Sequence, residues 1–280
     1  MPITLLASEG PQARAYLVRA RQAGIGFSRI LLMVSARNPA GKTVGRFLPG
    51  SWRRSYAEAV QTQTQLFWPL KLRRDRPDLE KAMAAGLAEV CPQVDQLYDQ
   101  MYANFQWEAF APVERVLVDG FKDPALAEHL QGQGLVLFSG GGIVPRSLLE
   151  RPGLNMVHVH PGHLPYVRGG DGLLWSVLVR GCPGMSAFFM APGIDMGDLI
   201  AAGDFPSLEF KLSQRPDDQT LYRALFCFCD PLLRAEFLAT RLLEQDPTSW
   251  PAEPQAAEEG ITYHFMHPSL RARALRKLFP

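Results

Sequence analysis

"ITLLASEGPQARAYLVRARQAGIGFSRILLMVSA" covers residues 3–36, and its reading decides the fold. "ITLLAS" (3–8) reads as a short buried strand. "PQARAYLVRARQAG" follows with helical periodicity and closes on Gly24. "RILLMVSA" (29–36) is a second buried strand. Strand, helix and strand joined by short connections make a βαβ unit, and that unit implies a parallel sheet.

The same grammar continues down the chain. "VERVLVDGF" (113–121), "LVLFSG" (135–140), "NMVHVHPG" (155–162) and "GMSAFFMA" (184–191) carry strand signals, separated by helix-like runs. A loop after 191 ends in a further strand. Residues 37–111 interrupt this grammar with helix-like runs around 53–68, 78–90 and 93–105, and predict a mostly helical insertion. Helices dominate 217–245, a Pro-rich linker follows, and the tail reads as a small strand and a basic helix. The expectation is an α/β chain with an open, mostly parallel, Rossmann-like sheet. Residues 1–205 would form a catalytic domain that includes the 37–111 insertion. Residues 206–280 would form a C-terminal helical appendage and tail.

Composition narrows the class. The chain has 280 residues, 47% of them hydrophobic, so it can bury a sizeable core. A net charge of +1 argues against bulk nucleic-acid binding and lends no support to a tRNA contact, while a local basic patch stays open. The four cysteines show no disulfide-framework spacing, which predicts a reducing, cytoplasmic setting. No apolar run reaches the roughly 20 residues of a membrane span. A homodimer stays an open option.

"VHVHPGHLP" (157–165) gathers three of the six histidines, at 158, 160 and 163. Side chains alternate along a strand, so His158 and His160 share a face. They fall at the strand's C-terminal end, where open parallel sheets place ligand sites. Alternation does not set the direction of His163, which lies in the turn. Three readings compete: structural histidines bonded to backbone, a metal site completed by a distant Asp, and acid–base or oxyanion chemistry.

The residues downstream favour the third. "HPGHLPYVRGGDG" followed by "GIDMGDLI" resembles the core signature of the folate-dependent formyltransferases, which include methionyl-tRNA formyltransferase and the sugar N-formyltransferases. His160, Leu164-Pro165, Arg168-Gly169 and Asp195-Met196-Gly197-Asp198 match that pattern in order and spacing. "LVLFSGGGIVPRSLLE" matches the strand and helix before it. The resemblance is persuasive over roughly 113–205, fair over 1–36 and weak over 37–111. It implies the formyltransferase fold, 10-formyltetrahydrofolate as co-substrate and a small-molecule amine as formyl acceptor. It also implies a catalytic trio. His160 would take or relay the amine proton, and Asp195 would orient it. His158, standing where the family has Asn, would contact the oxyanion. By the same resemblance Gly140, Gly141 and Gly142, with Ile194 and Asp198, line the pterin pocket, and no metal is implied.

Two alternatives are carried forward. One is a hydrolase on the same site, with water as nucleophile or with metal on His158, His160 and Asp195. The other is a folate-binding protein without turnover. Arg168 and Asp171 are candidate substrate contacts. Arg168 could also brace its loop, and Asp171 could cap the helix that starts at Gly172. The basic stretch "KLRRDR" (71–76) could meet a phosphate or polyglutamate tail, or be a solvated charged face.

Overall fold

The computed structural model describes residues 2–280. The opening βαβ unit folds as β1 (Ile3–Ser8), α1 (Pro11–Gln22) and β2 (Arg29–Ser35). The insertion that follows holds α2 (Gly50–Gln65), α3 (Phe67–Asp75), α4 (Pro77–Leu87) and α5 (Val94–Tyr102). The sheet resumes with β3 (Val113–Val118), α6 (Pro124–Leu130), β4 (Gly134–Phe138), α7 (Arg146–Leu149) and β5 (Leu154–His160). A short strand β6 (Val167–Gly169) precedes α8 (Gly172–Arg180), β7 (Gly184–Phe189) and β8 (Leu199–Asp204). The C-terminal stretch holds α9 (Asp218–Ala224), α10 (Asp230–Phe237), β9 (Ile261–Tyr263) and α11 (Pro268–Leu278).

Seven strands form one sheet in the order β3-β2-β1-β4-β5-β7-β8. The first five are parallel, while β7 and β8 run antiparallel at one edge. The chain builds outward from β1 in one direction, then returns to its other side with β4. Open sheets with such a reversal carry ligand sites beyond the carboxyl ends of their strands.

Alternation along each strand sends side chains to opposite faces. Leu5, Ile30, Leu32, Leu137 and Val157 enter one cluster with α1, α4, α5, α8 and the C-terminal helices. Leu6, Leu31, Met33, Phe138 and Met156 enter the other with α6 and α7. Residues on either side of position 205 share the first cluster. Phe210, Leu221, Leu232 and Leu278 pack in it beside Leu5 and Tyr16. The stretch expected as an appendage therefore forms part of the layer that covers the sheet.

The insertion is helical as expected, with α3 added to the three expected runs. Pro69 sits in the first turn of α3, where a missing N–H costs nothing. The basic stretch lies on that helix, and its charges have local partners. Lys71 pairs with Asp75, Arg73 with Glu80 and Asp99, and Arg76 with Asp78.

Candidate active site

A cleft of about 490 Å³ opens beyond the C-terminal ends of β4 and β5. That volume lies in the range of small-molecule sites. Its apolar side is formed by Phe138, Val144, Leu149, Phe188 and Met190, and its polar floor by His158, His160 and Asp195. The structure thus brings the two strand histidines and the distant Asp195 around one space. His163 leaves the group: its Nδ1 lies 2.7 Å from Asp204 Oδ1, and it does not line the cleft.

The backbone fixes which nitrogen of each ring does what. His158 Nδ1 lies 3.1 Å from Phe138 O, on the neighbouring parallel strand. A carbonyl only accepts, so Nδ1 carries the proton and donates. In the neutral ring Nε2 then holds a lone pair. Burial and the nearby Arg234 guanidinium push His158 down to about 4, so the neutral form prevails at physiological pH. An unprotonated Nε2 is a proton acceptor. It cannot donate to an oxyanion, which is the role the motif resemblance implied for this position.

His160 is held differently. Its Nε2–H donates to Val167 O at 2.9 Å, and its Nδ1 faces Asp195 Oδ2 at 3.4 Å. Both nitrogens meet protein groups. Burial lowers its proton affinity, and the Asp195 carboxylate raises it. Gly162 lies over this ring: a Cβ there would come within 2.5 Å of both His160 Nε2 and Val167 O. Asp195 sits at φ 50°, an uncommon conformation for a non-glycine residue, and its Oδ2 accepts from Gly169 N at 2.7 Å.

The remaining expected residues divide. Gly140, Gly141, Gly142 and Ile194 line the cleft, whereas Asp198 is exposed and does not. Its position at the end of the loop points it to solvent, while its carbonyl accepts from Phe189 N. Arg168, expected among substrate contacts, is buried outside the cleft lining and donates to Gln255 Oε1 and Ala256 O. It braces the tail. Asp171 lines the cleft, but Tyr222 OH donates to its Oδ1 at 2.6 Å and Met266 N to its Oδ2 at 2.8 Å. It makes no side-chain cap on α8.

Sequence reasoning passed over Tyr222, Phe226 and Arg234, which form the cleft's far wall. Their spacing of four and eight along one helical run was the available signal. In an α-helix four residues overshoot one turn by about 40°. Leu225–Cys229 is a π-helical segment, whose wider turn takes that drift back and keeps the row aligned. Asp230 holds Arg234 in place, with Oδ2 3.0 Å from Nη2.

Among the described residues no group of three or more His, Cys, Asp or Glu side chains could hold a metal ion.

No family model matches the chain. A methionyl-tRNA formyltransferase from Syntrophus aciditrophicus is 34% identical to it over 92 residues, covering 31% of this chain and 29% of that one. The methionyl-tRNA formyltransferase of Desulforamulus reducens is 30% identical over 103 residues, 32% of each chain. Over these stretches the chain is similar to formyltransferases. It spans about a third of the length of the curated relatives it matches. Among solved structures, a sugar N-formyltransferase from Shewanella sp FDAARGOS_354 superposes with a TM-score of 0.49 at 12% identity, covering 99% of this chain and 87% of that one. The cleft has one apolar side and one titratable floor. Among its described residues no helix is long and apolar enough to cross a membrane.

Proposed function

We propose that this chain is an enzyme that transfers a formyl group from 10-formyltetrahydrofolate to a primary amine of a small molecule, an amino sugar nucleotide or an amino acid building block. The observation that carries the reading is the cleft itself. It sets an apolar side suited to a flat ring against His158, with an unprotonated nitrogen, at the end of a central strand. The order and spacing of the motif residues and the partial match to formyltransferases support it.

In this scheme the acceptor nitrogen attacks the formyl carbon. A C–N bond forms, and the carbonyl π electrons move to oxygen. The proton shed by the amine passes to His158 Nε2. The intermediate then collapses, the bond to the folate nitrogen breaks, and His158 returns its proton to that nitrogen. The products are a formamide and tetrahydrofolate, and the balance needs no oxidant or metal. His160, its Nε2–H held by Val167 O, borders the Asp195 carboxylate at 3.4 Å and lines the floor beside the reacting groups.

The test is tetrahydrofolate release from 10-formyltetrahydrofolate with a panel of amino sugar nucleotides and amino acids, and formylated product detected by mass spectrometry. Release with any amine at a rate above the protein-free background supports the reading. Release with water as the acceptor would make the chain a hydrolase, and binding with no release at all would overturn the enzyme. As a general base, His158 should contribute roughly 10²–10⁴-fold, so His158→Asn and His158→Ala lose turnover alike. Activity retained in His158→Asn, which offers a donor but no base, would return this position to the oxyanion role.

A further inference from the structure

We propose that the C-terminal strap, residues 253–266, positions the catalytic floor, and that Gln255 is its positioning residue, acting through Asp195 on His160. The proposal rests on the formyl-transfer reading only for its kinetic consequence.

Both hydrogen bonds that set the floor run through three residues. Val167 O accepts from His160 Nε2, and Gly169 N donates to Asp195 Oδ2. Those residues are β6, which lies outside the main sheet and pairs with β9 of the strap in parallel register, Val167 with Ile261 and Gly169 with Tyr263. A three-residue strand cannot hold its own shape, so the geometry of the floor is borrowed from the tail.

Gln255 joins the two loops of the site with one amide. Its Nε2 donates to Gly197 O at 2.7 Å and to Asp195 O at 3.3 Å, and its Oε1 accepts from Arg168 Nη2 at 3.2 Å. Asp195 needs this hold. A non-glycine residue at positive φ persists only where its surroundings over-determine it. Here its carbonyl and its carboxylate are each fixed, one by the strap and one by the strand the strap pairs with.

The contact is backbone against backbone. Gly169 has φ 95°, and a Cβ there would lie 2.0 Å from Tyr263 O. A Cβ on Gly260 would lie 2.0 Å from Pro165 O. The strap is tied down along its length. Leu199 N and Glu253 O bond at 2.7 Å, Trp175 Nε1 donates to His264 O at 2.9 Å, and Met266 N reaches Asp171. Ile261 and Phe265 remain exposed, while Met266 enters the core and Tyr263 stacks on Trp175, so apolar contact anchors the strap beside its polar and backbone bonds.

A strap that only stabilised the fold would affect melting and leave the floor unchanged. Gln255→Glu separates the two cases. Its carboxylate still accepts from Arg168, but it donates nothing to Asp195 O or Gly197 O. Gln255→Ala is the second variant, and Trp175→Phe, which removes only the bond to His264 O and keeps an aromatic ring against Tyr263 of β9, is the control. The readouts are imidazole ¹⁵N shifts of His160 in the full chain, Tm, and kcat against KM. In both Gln255 variants the His160 resonances are expected to move, and kcat to fall roughly 10²-fold, the cost of misplacement by about an ångström, with little change in KM for the folate. Trp175→Phe is expected to lower Tm and leave His160 unmoved. His160 shifts unchanged in both Gln255 variants would overturn the proposal, whatever happens to Tm. A wild type without formyl transfer would sink the reaction scheme, yet the ¹⁵N shifts would still decide the role of Gln255.

Discussion

At the scale of single residues, the site is governed by which nitrogen carries a proton. Strand periodicity put His158 and His160 on one face, but only the carbonyls of Phe138 and Val167 assign opposite tautomers to the two rings. The consequence for pH has a definite sign. His158 binds its proton less tightly folded than unfolded, so the unfolded chain takes up more protons on acidification. The associated stability is present above the ordinary histidine range and is lost as pH falls through the depressed value. His158→Asn is therefore expected to flatten the acid limb of a Tm-against-pH curve, and an unchanged limb would count against burial as the cause. As the base, His158 should also keep the scheme active well below pH 6.5, with the acid limb of kcat/KM displaced downward. His163 gives a contrast. Its pair with Asp204 is partly exposed and outside the cleft, so His163→Gln should leave turnover within about twofold and cost no more than about 1 kcal/mol.

At the scale of elements, short pieces with little stability of their own are made precise by their neighbours. β6 and β9 are the clearest pair. Gly169→Ala would place a methyl in the path of Tyr263 O at a positive φ, so the two strands must part. The expected outcome is a loss of more than about 1 kcal/mol in denaturant unfolding, with faster proteolysis confined to the tail. Even cleavage throughout the chain would contradict this local picture. The π-helical segment before α10 works on the same principle, since it keeps Tyr222, Phe226 and Arg234 facing one cleft.

At the scale of the whole molecule, the C-terminal helices are bound into the first βαβ unit. Arg19 of α1 and Glu236 of α10 form a buried pair, with Arg19 Nη2 donating to Glu236 Oε1 at 3.1 Å. Removing one partner leaves a buried charge alone. Arg19→Met is expected to cost about 3–5 kcal/mol, and adding Glu236→Leu should recover most of it. Equilibrium unfolding in urea measures both. If the C-terminal stretch were a separate unit, the two variants would instead give a biphasic transition.

Local sequence determined the seven strands of the main sheet, most of the helices and the shared face of His158 and His160, because apolar periodicity and alternation are properties of neighbouring residues. The order and spacing of His160, Arg168 and Asp195, read as a resemblance to a family motif, marked the segment that carries His160 and Asp195 into the cleft. Tertiary structure alone decided that His158 offers a lone pair, that Arg168 and Asp171 are spent on the tail, and that Asp198 faces away from the cleft. It also brought in Gln255, 60 residues from the Asp195 carbonyl it holds, and Arg234, 75 residues from the Val159 carbonyl it meets. Hydrogen-bond partners so distant in sequence leave no periodic mark on it. They come together only when the sheet and its covering helices have closed.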